Sequence, residues 1–312
     1  MMASTIHPMQ SANRRGIVAL SLAMASFIAN DTLVKYVSQS LGGGQLIFIR
    51  GVMATVLLLG VAHAMGVLGR WREMRNAALG WRALLDSLAT MTYLTALFHL
   101  PLANATAINM ATPLFITVMA IFALQEKVSG TRWLAIAAGF AGVLMVVQPR
   151  SDGFNTWALL CLLGTLFHAA RDLLTRFIPS SVPSVLITLS TAVAVTALSG
   201  PVSLVQGWKP VGVTELAMLA AAAVFLATGY YLIIHSLREG EMSVIAPFRY
   251  TGLLYALVLG WLVWGEVPNA LAWSGIGLLL AAGLYMLHSE RKRGRESGDK
   301  GNPRKALEAA TD

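Results

Sequence analysis

Charge is scarce in this chain. Asp, Glu, Lys and Arg make up 12% of its 312 residues, against about a quarter in a soluble domain, which excludes an ordinary water-facing fold. Cysteine is nearly missing too. The single Cys161 lies in an apolar run and rules out an internal disulfide, an all-cysteine zinc site or an iron–sulfur cluster; it reads as a packed small residue. Catalytic signatures are also missing: no HExxH, no GxSxG, no Walker loop and no carboxylate pair in catalytic spacing. No metal set and no cofactor is expected. Without an ATP-binding loop, the chain cannot draw on ATP hydrolysis unaided.

What is abundant is apolar sequence. Hydrophobic residues reach 56% and the mean hydropathy is +0.65. Runs near the ~20 residues needed to cross a bilayer recur along the whole length. The pattern predicts an all-α integral membrane protein with ten helices, at 16–37, 44–66, 81–98, 103–124, 132–148, 156–178, 183–206, 214–236, 243–265 and 270–288. Ala23-Met24-Ala25 after Arg14 and Arg15 resembles a signal-peptidase site, but the apolar segment continues past it to Val37. The net charge of +8 comes from short loops and the tail rather than from one basic face, so no nucleic-acid partner is expected. Placing the N-terminus (1–15) in the cytoplasm puts Arg14, Arg15, Arg70, Arg72, Arg75, Lys127, Arg132, Arg176 and Arg238 inside, with a basic tail over 289–312 read as disordered. Only Arg150 and Lys209 are left for the outer loops. A multi-pass protein of a bacterial inner membrane, with both termini cytoplasmic, follows.

The chain also resembles itself at a shift of 140 to 141 residues. ANDTLVKYV (29–37) aligns with ARDLLTRFI (170–178), matching Asp31 to Asp172, Lys35 to Arg176 and Tyr36 to Phe177. FALQEKVSGTRW (122–133) aligns with WLVWGEVPNALAW (261–273), matching Glu126 to Glu266 and Trp133 to Trp273. Two five-helix units, 16–148 and 156–288, are implied. Five is odd, so the second would enter the membrane from the opposite side: an inverted repeat, as carriers with alternating access use.

The stretches ATAINMATPLFITVMAIFALQEKVS (105–129) and IAPFRYTGLLYALVLGWLVWGEVP (245–268) resemble the EamA domain of the drug/metabolite transporter superfamily. Within it, the NDxxxKY of 30–36, the IRG of 49–51 and the APFRY of 246–250 look like bacterial carriers for riboflavin and S-adenosylmethionine. The resemblance implies a secondary carrier for a small organic solute. Riboflavin-like uptake stands first, with S-adenosylmethionine and amino acids or related metabolites, in either direction, as alternatives. Fold alone does not fix the cargo. An intramembrane enzyme is the competing class, but His99, His168, His235 and His288 share no motif.

Charges inside spans are costly and face a polar interior by default. Asp31 lies six residues before the outer end of its helix and Arg50 six after the outer start of the next, both roughly 9 Å deep. Asp172 and Arg249 mirror them on the inner side. Asp31 and Asp172 are repeat counterparts, whereas Arg50 falls opposite Thr191 and Arg249 opposite Asn109. Asp31–Arg50 and Asp172–Arg249 are therefore expected as latches or substrate-facing pairs. The alternative is local neutralisation of Asp31 by Lys35 and of Asp172 by Arg176, each at i,i+4. His168 shares a face with Asp172 and is either a relay or a packed histidine. Arg171 points about 100° from Asp172 and reads as an anchor at the inner end, as Arg82–Asp86 reads as an interfacial pair. Pro113 leaves the Asn109 carbonyl without its helical donor and predicts a kink. Asn104, Asn109, Tyr93, Tyr230 and Tyr250 can bond or stack on a planar solute, or serve the structure. Glu126 and Glu266 are expected as anchors at helix ends. The small-residue spacings Ala135/Gly139, Ala138/Gly142 and Gly277/Ala281 permit close packing within the chain or in a homodimer.

Overall fold

Helices form wherever apolar runs were found. A computed structural model describes residues 6–123, 130–148, 155–175, 177–179, 181–239 and 245–300. Its helices are α1 (Ile6–Val37), α2 (Gly43–Ala64), α3 (Ala77–Leu97), α4 (Leu102–Asn109), α5 (Thr112–Ala123), α6 (Gly130–Val147), α7 (Thr156–Thr175), α8 (Ser184–Gln206), α9 (Val213–Glu239), α10 (Thr251–Trp264) and α11 (Ala270–Lys300). Tight 3-10 stretches cover Leu68–Arg75 and Ala246–Tyr250. Among the described residues, six spans are long and apolar enough to cross a membrane, among them Leu102–Phe122, which joins α4 and α5. Trp133–Val147 and Ala270–Met286 are shorter apolar helices. Large apolar side chains such as Val56, Leu134, Leu204 and Trp261 are exposed on the outside of the bundle, the surface that lipid covers.

Local chemistry sets the helix ends. Asn76 accepts from the Ala78 amide, Asn155 from Trp157 and Ala158, and Asn269 from Ala272, each satisfying amides that a helix start leaves open. Gly265 ends α10 with φ 67°, a left-handed turn that glycine takes without strain. The break expected at Pro113 is present, between α4 and α5. The stranded carbonyl of Asn109 accepts instead from the Thr112 hydroxyl at 2.6 Å.

Both end helices exceed their predicted limits. α1 starts at Ile6 rather than 16, and α11 runs on to Lys300, halfway through the tail read as disordered. Residues 301–312 lie outside the described residues.

The packing has a regular plan. α1 lies on α9 and α3 on α7; α2 touches α9 and α3 touches α8; α2 lies on α8 and α6 on α11. The close pairs run antiparallel. Along α2 and α8, an added carbon at Gly44 would meet Ser203 and one at Gly51 would meet Thr196. Along α6 and α11, Gly142 faces Gly275 and Gly139 faces Ala282. Thus Ala135/Gly139 and Ala138/Gly142 serve packing inside the chain. Gly277 and Ala281 are exposed.

Gly142→Ala should lower the melting temperature of the detergent-purified protein, because its new carbon comes within 2.7 Å of the Gly275 carbonyl. The expected loss is about 1–3 kcal/mol. Gly277→Ala, whose added carbon meets nothing within 4 Å, should leave it unchanged.

Candidate functional site

Three polar clusters occupy the bundle interior. The first starts in the middle of α1. Ser26 and Thr32 turn their hydroxyls back to the carbonyls of Leu22 and Ile28, so neither competes for neighbouring helices. Asn30 and Asp31 reach outward instead. Asp31 accepts from the Tyr93 hydroxyl of α3 at 3.0 Å and from the Asn30 amide at 2.9 Å. Asn30 Oδ1 accepts from Arg50 Nη1 of α2 at 3.1 Å. The expected Asp31–Arg50 ion pair is therefore absent within 4 Å. Asn30 stands between the two charges, close enough to each to bridge them. Beyond Tyr93, His168 of α7 lies with its ring 5.9 Å from the tyrosine ring and its Nδ1 2.9 Å from Asn109 Oδ1.

The second cluster joins α3 to α7. Asp86 is 2% exposed and holds Arg171 at 2.6 Å and Arg82 at 3.6 Å. Arg171 also grips Asp172 at 2.9 Å. Arg82 donates to Thr175 at 3.0 Å and to Thr191 of α8 at 2.8 Å. Arg171 does more than anchor an end, because its flexible stem carries the guanidinium sideways onto the neighbouring carboxylate. Arg82 and Asp86 pair as expected, and both are buried inside the bundle.

Lys35 organises the third cluster. It sits in the last turn of α1, so its ammonium extends past the helix end rather than back to Asp31. There it donates to the Leu100 carbonyl at 2.6 Å and to Glu266 at 2.5 Å, 4.7 Å above the Trp264 ring. Glu266 also accepts from the Leu102 amide at 2.7 Å, capping α4. Gly265 makes this possible: its turn folds Glu266 back beneath α10. The anchor reading of Glu266 holds, and local pairing of Asp31 with Lys35 does not. A cavity of about 350 Å³ opens beside the pair, lined by Gln39, Phe98, Leu100 and Trp264 among others.

The remaining predicted residues divide. Arg249 is exposed and makes no ion pair with Asp172. It lies in the 3-10 stretch Ala246–Tyr250, which has Pro247 in its first turn. Tyr250 packs its hydroxyl against Gly283 of α11. Tyr230 meets Phe27 edge-on, with ring centroids 5.3 Å apart. Cys161 is buried with its thiol 3.7 Å from the Ala105 carbonyl, a packed residue as expected. Asn104 Oδ1 is buried without a partner. Arg176 and Glu126 lie outside the described residues. Sequence reasoning missed Asn30 as the bridge and Asp86–Arg171 as the link between helices. A signal for both was available, since Asn30–Asp31 and Arg171–Asp172 align in the repeat.

Asp86→Ala removes the carboxylate that Arg82 and Arg171 share, leaving buried Arg82 with hydroxyl partners alone and Arg171 with Asp172, and should cost about 3–5 kcal/mol. Adding Arg171→Met should cost less than the sum of the single changes, a coupling of about 0.5–3 kcal/mol. Thermal unfolding of the four proteins in one detergent checks this; strict additivity would contradict the contact.

The chain is also similar to known proteins. The EamA-like transporter family matches residues 14–148 and again 155–287. A riboflavin transporter of Rhizobium johnstonii is 31% identical over 227 residues, 72% of this chain and 73% of that protein. One from Vibrio cholerae is 25% identical over 93% of this chain and 96% of its own. An S-adenosylmethionine uptake transporter of Rickettsia felis is 24% identical over 89% and 94%, and a pseudopaline exporter of Pseudomonas aeruginosa is 24% identical over 89% and 98%. A solved crystal structure superposes with TM-score 0.58 at 17% identity, over 90% of this chain and 98% of that one, a likeness of fold alone. The twofold family match, over nearly the whole chain, makes this protein a member of the EamA-like transporter family.

Proposed function

We propose that the chain is a secondary carrier of ten spans, built as two inverted five-helix repeats, that moves a small organic metabolite across a bacterial inner membrane by alternating access. The observation that carries the reading is the Asp86–Arg171 contact with its neighbours: buried charge concentrated where α3 of one unit meets α7 of the other. Charge is kept away from lipid only when an interior requires it. The packing plan supports inversion. Exchanging the two units turns α1–α9 into α7–α3 and α2–α9 into α8–α3, and leaves α2–α8 and α6–α11 unchanged. Equivalent helices that cross antiparallel are related by an axis in the membrane plane.

Each unit brings an Asp-bearing helix to the seam. Asn30, Asp31, Arg50 and Tyr93 form the part that meets the solute, and His168 with Asn109 its far wall. With the N-terminus in the cytoplasm, Lys35–Glu266 lies at the outer end. Its bonds to Leu100 and Leu102 would hold the outer mouth shut in this conformation. Among cargoes, riboflavin is tested first because two relatives carry that name. S-adenosylmethionine and amino acids follow.

Expression in strains that depend on imported riboflavin or S-adenosylmethionine tests the reading. Growth and labelled uptake should appear for one of them. Arg50→Ala and Asp31→Asn, each removing a buried charge-assisted bond worth about 1.5–3 kcal/mol, should cut uptake by about ten- to a hundredfold at equal membrane abundance. Arg249→Ala should leave it near wild type. Uptake indifferent to Arg50 and Asp31 would remove them from the path.

A further inference from the structure

Arg50 is the odd cation of the interior. Lys35, Arg82 and Arg171 each have a carboxylate within 4 Å. Arg50, 5% exposed, has none, and Asn30 Oδ1 is its one hydrogen-bond partner among the described residues. That bond uses Nη1. Nε is buried and donates to nothing, and no hydrogen bond from Nη2 joins the Nη1 bond among the described residues, so the Nε–Nη2 edge is left unpaired. This edge presents two parallel N–H groups in fixed geometry, the fork that grips a carboxylate with two bonds. An unused donor at such depth is costly, and its position is held firmly. Gly51, the next residue, packs so closely on Thr196 of α8 that an added carbon would overlap its hydroxyl. Asn30 fixes the other side of the guanidinium and is itself fastened to Asp31, which Tyr93 holds. The repeat sharpens the contrast. At the counterpart of Arg50 stands Thr191, and there the Arg82 guanidinium bonds through Nε to Thr175 and through Nη1 to Thr191, with the Asp86 carboxylate 3.6 Å away.

We propose that the open Nε–Nη2 edge of Arg50 is the recognition element for a solute carrying a planar edge of two adjacent acceptor atoms. The site rests on the carrier reading above, and the proposal adds the chemistry that the solute must have. Two sources supply such an edge: a carboxylate, as in an amino-acid moiety, or the O4/N5 edge of an oxidised isoalloxazine. Asp31, one residue beyond the Asn30 bridge, then faces whatever positive or donor group lies next to those acceptors.

The test uses the full chain in lipid nanodiscs for binding and in proteoliposomes for uptake. The probes are riboflavin beside 5-deazariboflavin, in which C–H replaces the N5 acceptor, and S-adenosylmethionine beside its decarboxylated form. In one of the two pairs, the complete edge should bind at least about tenfold tighter than its deleted partner, the worth of one charge-assisted bond. Which pair responds identifies the source. Arg50→Lys keeps the charge but loses the fork, and should abolish that preference as fully as Arg50→Gln does. Melting temperatures show that both variants fold. Equal binding within both pairs, a preference retained in Arg50→Lys, or no binding of any of the four would overturn the proposal. Failure of the carrier reading looks different: edge-selective binding to nanodiscs without uptake into proteoliposomes.

Discussion

Asp86 meets Arg171 where α3 crosses α7, and the interior depends on that contact. In hydrocarbon a carboxylate cannot be left to water, so its partners must come from the protein. Asp86 therefore draws in Arg171 and Arg82. Arg171 draws Asp172, and Arg82 draws Thr175 and Thr191. One buried acid thus ties α3, α7 and α8 together and sets their rotation. Rotation of α3 in turn places Tyr93, two turns on, against Asp31, and the Asn30–Arg50 relay follows. The spans can carry charge because they carry it toward each other.

Much of the fold was legible because membranes impose simple rules. Apolar length marked the helices, Pro113 marked the break, and Gly265-Glu266 marked the end of α10. The wiring of the charges was less legible. Spacing at i,i+4 described Asp31 and Lys35 as partners, but it ignores position along the helix. In the last turn, a lysine reaches past the helix end, and Lys35 finds Glu266. Matching depth paired Asp31 with Arg50 and Asp172 with Arg249. Depth gives height but not azimuth. Arg171 was set aside on angle alone, although a guanidinium on a flexible stem covers a wide arc. The neighbour of each predicted aspartate, Asn30 or Arg171, proved to be its hydrogen-bond donor.

The two aligned Asp positions, one in each half matched by the family, stand among different charges. In the first unit the cation sits on α2, at Arg50, with a neutral amide between it and the acid. In the second the cation sits beside the acid, at Arg171, and α8 carries only Thr191. The second arrangement is closed, with its charges paired, while the first leaves a guanidinium edge open. The two halves matched by the family thus carry different charges at aligned positions.

The central claim is that the polar interior is reached alternately from the two sides, with the Lys35–Glu266 end shut in the conformation described. It is tested most directly by fixing that end. Lys35→Cys and Glu266→Cys, in a Cys161→Ser background, are bridged with a short reducible bis-thiosulfonate, and solute uptake into proteoliposomes is measured before bridging, after it, and after reduction. The account predicts that uptake stops on bridging and returns on reduction. Uptake that continues unchanged with the bridge in place would contradict it.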